Sequence, residues 1–176
     1  CKKWFKRLIC KPKVFGDHRG YFMESFRADR LEAFLGYTVN FCQDNESSSA
    51  YGVLRGLHYQ LPPYPQSKLV RVLEGSVVDV AVDMRKGSPT FGKSVAVALS
   101  AENKQQLFIP RGFAHGFVGL KKENIIFYQC TNYRSKKHEV GISWNDNDIN
   151  IKWPTKNPIL SSKDKKNISF KDYLKK

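Results

Sequence analysis

Three polar residues between Ser49 and Val72 have side chains that can act on a substrate. Arg55, His58 and Lys68 stand in two apolar-flanked segments, one around Val53 to Gln60 and the other leading from Lys68 into Leu69-Val70-Arg71-Val72, joined by a proline-rich loop. Histidine suits proton abstraction because its unperturbed pKa lies close to neutrality. A lysine at the head of a core strand is awkward unless its ammonium meets an anion or polarises an oxygen. On a strand His58 points opposite to Leu57 and Tyr59, which fits a satisfied structural histidine as well as a general base. His115, within Pro110-Arg111-Gly112-Phe113-Ala114-His115-Gly116, leaves a similar choice: a second site histidine, or one hydrogen-bonded to a strand acid such as Asp79. Tyr59 and Gln60 follow His58, so there is no His-x-His pair for a metal, and no phosphate-cradling glycine loop or Gly-x-Ser-x-Gly elbow occurs. The expectation is no metal and no cofactor, with proton transfer as the available chemistry.

The elements that must position these residues are mainly strands. Val14 to Phe26 reads as strand, turn, strand, with Gly16 to Gly20 supplying the turn. The spacing of Leu31, Phe34 and Leu35 predicts a packing helix over 28–35, with Gly36 in a left-handed C-terminal cap. Val39 to Asn45 alternates and is expected to end at the polar cluster Glu46 to Ser49. Lys68 to Leu73 and Ser76 to Val82 predict a hairpin about Glu74-Gly75, with Asp79, Ala81 and Asp83 on one face and Val78, Val80 and Val82 on the other. Further short strands, Val95 to Leu99, Gln106 to Ile109, His115 to Leu120 and Asn124 to Thr131, follow at intervals of roughly 8 to 12 residues, the spacing of a sandwich or barrel. The fold class expected is all-β, in a single domain over 1–176 with its core at about 14–155 and a basic C-terminal segment at 156–176.

The chain of 176 residues carries a formal net charge of +14, which invites a nucleic-acid or membrane partner. The charge is concentrated at the ends, +6 over residues 1–13 and +6 over 151–176, where solvated faces account for it. Neither partner is therefore expected, although a modest positive bias helps attract a nucleotide diphosphate. Cys1, Cys10, Cys42 and Cys130 show no zinc-like spacing and are expected as reduced thiols. No apolar run approaches a membrane span and the N-terminus lacks a secretory pattern, so a cytoplasmic protein is expected.

Taken together, several segments resemble one family. Gly16-Asp17-His18-Arg19-Gly20 through Glu24, Gln43-Asp44-Asn45, Val53-Leu54-Arg55-Gly56-Leu57-His58-Tyr59-Gln60, Lys68 to Val72, Ser88-Pro89-Thr90-Phe91-Gly92, Ile109 to Phe117 and Gly141-Ile142-Ser143-Trp144-Asn145-Asp146 occur in the order of the dTDP-4-dehydrorhamnose 3,5-epimerases, over about Val14 to Asp164. The resemblance implies a cupin-type jelly roll, a homodimer that exchanges N-terminal strands, and cofactor-independent inversion at C3 and C5 of dTDP-4-keto-6-deoxyglucose in deoxysugar synthesis for surface polysaccharide. It implies His58 as general base oriented by Asp164, Lys68 beside the C4 oxygen, and Tyr128 as the acid on the opposite face. It also implies substrate contacts from Arg19, Phe22, Glu24, Gln43, Asp44, Asn45, Arg55, Lys68, His115, Glu139 and Lys163. For Arg19 and Glu24 the residues alone suggest an ordinary turn ion pair. Alternatives are an epimerase acting at one carbon or on another nucleotide's keto-sugar, and a catalytically silent nucleotide-sugar-binding cupin.

The chain departs from the family pattern in three places. Gln129 follows Tyr128 where a lysine is usual, Arg134 follows Tyr133 where a second tyrosine is usual, and the segment before Lys11 differs from the usual opening strand.

Overall fold

The computed structural model describes residues 9–175, so most of the atypical opening segment lies outside the described residues. Twelve strands follow one another among the described residues, with little helix between them. They are β1 (Ile9–Cys10), β2 (Val14–Asp17), β3 (Gly20–Met23), β4 (Gln43–Ala50), β5 (Leu54–Gln60), β6 (Lys68–Glu74), β7 (Ser76–Asp83), β8 (Ser94–Ser100), β9 (Gln106–Ile109), β10 (Phe113–Gly119), β11 (Glu123–Cys130) and β12 (Glu139–Gly141). Among the described residues two α-helices, α1 (Ala28–Leu35) and α2 (Phe170–Leu174), lie at the periphery. The strands form two five-stranded antiparallel sheets, ordered β1-β9-β6-β11-β4 and β12-β5-β10-β7-β8, plus the separate hairpin β2–β3. This is a cupin-type jelly roll.

Period-two alternation explains how the sheets stack. Val70, Leu107 and Ile126 of the first sheet meet Val77, Ala81 and Leu99 of the second in one apolar cluster. The second sheet is also covered on its other face, where Leu57, Val80, Val82 and Ala114 pack with Ile142, Ile149 and Phe170. Both faces of β7 are therefore buried, as the valines at 78, 80 and 82 opposite Asp79 and Ala81 require. Fully burying one such valine contributes about 1.5 to 3 kcal/mol.

The expected hairpin about Glu74-Gly75 does not form. β6 pairs with β9 and β11, whereas β7 pairs with β8 and β10, so the chain crosses from one sheet to the other at Gly75. The turn signal was real, but its hydrogen bonds go elsewhere: Ser76 N donates to Asn124 Oδ1 and Ala101 N to Gly75 O. Burial of both strands' apolar faces between two sheets outweighs local pairing. The polar run Glu46 to Ser49, expected to end a strand, instead lies within β4, which pairs with β11 throughout. Helix α1 forms where predicted, buries Leu31, and ends at Gly36 with φ 80°. β12 has no counterpart in the predicted elements; its three residues carry too short a pattern to read.

The C-terminal segment is laced onto the second sheet. Leu54 N donates to Ile159 O, Ile159 N to Gly52 O, and Ser143 N to Ile168 O. The Trp144-Asn145-Asp146 turn helps, because Asp146 accepts hydrogen bonds from Asp148 N, Ile149 N and, at the start of α2, Phe170 N. The lysines Lys163, Lys165, Lys166, Lys171 and Lys175 all stay exposed. Among the described residues no helix is long and apolar enough to cross a membrane.

Candidate active site

A cavity of about 500 Å³ opens between the two sheets. Inward positions of β4, β6 and β11 supply Gln43, Asn45, Lys68 and Tyr128 on one wall, and β5, β10 and β12 supply His58, His115 and Glu139 on the other. Close backbone contact sets this second wall. Gly56 has φ 129°, and a Cβ on it would lie 2.6 Å from Gly116 Cα, so only glycine lets β5 and β10 cross this tightly. That crossing leaves His58 and His115 directly opposite each other.

Each histidine has its own carboxylate. His58 Nε2 meets Asp164 Oδ1 at 2.5 Å, and His115 Nε2 stands 2.9 Å from both oxygens of Asp79. Asp164 opens a 3-10 turn, Asp164–Lys166, and the same turn is held by Asn167, whose Nδ2 donates to Gly56 O and Asp164 Oδ1. Asn167 fits only because Gly141 has no side chain at the point of contact. Burial pushes the Asp164 carboxyl up, but the His58 hydrogen bond and charge, with Ser161 and Gly56, outweigh it and hold the group below its usual range. Asp164 is therefore a carboxylate at neutral pH. With Nε2 occupied, Nδ1 is the ring nitrogen of His58 open to a proton, and it stands 4.0 Å from Glu139 Oε1.

The opposite wall carries Lys68 and Tyr128. The Lys68 ammonium lies 5.7 Å from the centre of the Tyr128 ring, and that ring meets His115 edge-on at 6.3 Å between centroids. Burial pulls the Lys68 pKa down, against the opposing pull of Cys130, Asp79 and Glu139, so an anion arriving beside it would be welcomed. Burial pushes the Tyr128 phenol up, which keeps its proton in place at neutral pH. The walls thus present a base on one side and a protonated phenol with an ammonium on the other.

At the mouth, Arg55 is held by Ser49 Oγ and Ser48 O, each at 3.0 Å. Gln43 donates to Asn45 Oδ1 and accepts from Arg134 N, so much of its amide is engaged within the protein. Lys163 Nζ meets Glu139 Oε1 at 2.5 Å, and Arg134 Nη2 meets Oε2 at 3.1 Å. Four of the expected contacts do not reach this cavity. Asp44 alternates to the exposed face of β4, opposite Gln43 and Asn45. Arg19 pairs with Asp17, Phe22 is exposed, and Glu24 pairs with Arg27 and Arg30, all on or just after the β2–β3 hairpin. The ion pair suggested between Arg19 and Glu24 is absent, each having a nearer partner in the turn or in α1.

Sequence reading missed Ser47, Cys130 and Gln60, which also line the cavity. Extending the period of two from Gln43 and Asn45 reaches Ser47, whose buried Oγ has no hydrogen-bond partner. No group of three His, Cys, Asp or Glu side chains among the described residues could hold a metal ion.

The protein is of the cupin class, a jelly roll whose cavity sets an oriented histidine opposite an ammonium and a phenol, three groups able to move or stabilise protons and charge. The sequence profile described as dTDP-4-dehydrorhamnose 3,5-epimerase matches residues 6–172. The epimerase of that name from Shigella flexneri is 59% identical over 165 residues, 94% of this chain and 91% of the relative. That from Escherichia coli K12 is 52% identical over 169 residues, 96% of this chain and 91% of the relative. The crystal structure of a dTDP-6-deoxy-D-glucose-3,5-epimerase from Legionella pneumophila, in complex with dTDP-4-keto-L-rhamnose, superposes with a TM-score of 0.88 at 51% identity, covering 92% of this chain and 86% of that one. The chain belongs to the dTDP-4-dehydrorhamnose 3,5-epimerase family.

Proposed function

We propose that the protein inverts C3 and C5 of dTDP-4-keto-6-deoxyglucose without a cofactor, and that the opposed walls of the cavity do the chemistry. The observation that carries this is the placement of His58–Asp164 on one wall and Lys68 with Tyr128 on the other. His58 Nδ1 takes the proton from a carbon next to the C4 ketone, and the C–H electron pair moves into an enolate. Lys68 stabilises the oxygen charge that develops. Tyr128 then gives its proton to the same carbon from the other face, the enolate collapses to the ketone, solvent restores the phenol, and His58 releases its proton to solvent. Repetition at the second carbon completes the double inversion. The diphosphate falls to Arg55 and Lys163 at the mouth, with Asn45, Gln43 and His115 as neutral or hydrogen-bonding contacts to nucleotide and sugar.

The proposal includes a homodimer and a cytoplasmic location, the compartment that supplies nucleotide diphosphates. Arg19, Phe22 and Glu24 lie outside this chain's cavity, on a hairpin that exposes Phe15, Tyr21 and Phe22. In a dimer that hairpin reaches the partner's cavity and brings those three residues to the nucleotide. One structural neighbour, a 3'-monoepimerase from Streptomyces bikiniensis in complex with dTDP-quinovose, shares the fold with a TM-score of 0.89 at 31% identity. The fold thus serves one-carbon as well as two-carbon enzymes, which makes a C3-only enzyme the second reading. Incubation with dTDP-4-keto-6-deoxyglucose, a reductase trap and heavy water decides between them by NMR. Deuterium at both carbons of the trapped product is expected; deuterium at C3 alone selects the second reading, and none at either carbon rejects both.

A further inference from the structure

Arg134, where the family usually has a tyrosine, is anchored from three directions before its side chain is considered. Its backbone N–H donates to Gln43 Oε1, while Gln66 Nε2 donates to Asn132 O at 2.7 Å. Gln60, only 4% exposed, donates to Tyr133 O and accepts from Ser135 N. The guanidinium is then aimed at Glu139, with Nε and Nη2 at 3.4 and 3.1 Å from Oε2. The other oxygen of Glu139 faces both Lys163 Nζ, at 2.5 Å, and His58 Nδ1, at 4.0 Å. A 4.0 Å separation is too long for a hydrogen bond and short enough for strong electrostatic coupling.

We propose that Arg134 is a positioning residue: together with Lys163 it holds the Glu139 carboxylate just short of His58 Nδ1, as a second counter-charge for the base. The geometry solves a specific problem. A carboxylate free to rotate would hold a proton on Nδ1 in an N–H···O hydrogen bond and so fill the site that must take the substrate proton. Held at 4.0 Å, it leaves that site open and still stabilises the imidazolium once the proton has moved. Burial pushes the Glu139 carboxyl up, but Lys163, His58 and Arg134 outweigh it and keep the group ionised near neutrality. The other charged or titratable groups around the base are Asp164 from the C-terminal turn, His115 with Asp79 from β10 and β7, and Lys68 and Tyr128 from the facing sheet. The Arg134 charge is also felt by Lys68 and Tyr128, but the hydrogen bonds of its guanidinium go to Glu139.

The inference rests on the epimerase reading, and its test separates the two. Deuterium exchange into substrate is followed against pH for wild type, Arg134→Gln, Arg134→Lys, Glu139→Gln and the Arg134→Gln/Glu139→Gln double variant. Absence of exchange in wild type would reject the epimerase reading itself. With exchange present, Glu139→Gln is expected to lower the midpoint of the acidic limb by about one pH unit, and Arg134→Gln to raise it by about half a unit. Arg134→Lys restores the wild-type midpoint in part. In the Glu139→Gln background the Arg134→Gln shift disappears, since it acts through that carboxylate. A shift that persists there, or a stationary limb accompanied by weaker dTDP binding, overturns the proposal; the latter makes Arg134 a direct diphosphate contact.

Discussion

The cavity contains two histidine–aspartate pairs built on neighbouring strands, and the differences between them separate a sealed pair from one open to the cavity. His115 and Asp79 are 6% and 0% exposed, and the acid comes from β7, in the same sheet and next to the histidine's strand. His58 is 24% exposed, and its acid, Asp164, comes from a turn 106 residues further along the chain. Both oxygens of Asp79 engage His115, whereas His58 keeps Nδ1 open beside Glu139. The residue types are the same in both. Access to the cavity leaves one ring open to a ligand and makes the other a fixed part of the wall.

The sharpest test of that contrast is a reciprocal pair of variants. His58→Asn is expected to lower deuterium exchange by about 10³-fold or more and to cost less stability than the His115 variant, because Asp164 keeps its hydrogen bond from Asn167 Nδ2. His115→Asn leaves Asp79 buried without its partner and is expected to cost about 3 kcal/mol of stability, read from urea unfolding. A His115 variant as stable as wild type would remove the distinction. On the facing wall, Lys68→Met is expected to reduce kcat by about 10²-fold or more with a smaller effect on KM, because the ammonium acts on charge that develops only in the enolate. Tyr128→Phe should slow inversion by about 10²-fold while sparing initial proton removal; equal loss of both would reassign the opposing acid.

The smallest expected effect lies away from the cavity and provides a structural reference. Burial pushes the Asp83 carboxyl up, but Arg85, Ser88 and Thr90 outweigh it and hold its pKa down at about 2. A group whose folded pKa is depressed contributes fully above its unfolded value. Its stabilisation is then lost as pH falls from about 4 to about 2, a change of about 2 kcal/mol. Asp83→Asn should flatten that part of the acid-unfolding profile and leave the midpoint of exchange unchanged. Movement of that midpoint would show the two regions to be coupled.

Much of the fold was legible because strands write their burial into a period of two. Val78, Val80 and Val82 opposite Asp79 and Ala81 were read correctly, as were α1 with its Gly36 cap and the β2–β3 hairpin. The reading failed at Gly75, where a turn between alternating strands looks alike whether the strands pair or part into two sheets. In the site, His58 opposite Leu57 and Tyr59 was visible from alternation, and the link between His115 and Asp79 was one of two readings that spacing left open. Asp44 was carried with its motif, although the same alternation turns it away from Gln43 and Asn45.

The sequence by itself determined which side chains could move a proton and on which face of their strands they lie, because local backbone geometry sets side-chain direction. Tertiary structure alone decided which of them meet. Asp164 reaches His58 only because Asn167 seats against Gly141, and Arg134 reaches Glu139 only because three glutamines hold its loop. Arg134 and Glu139 are five positions apart, but the hydrogen bonds that hold their loop and the Asp164 turn join residues 66 to 111 positions apart, and no local pattern encodes them. They follow from packing two sheets and a returning C-terminal segment around one cavity.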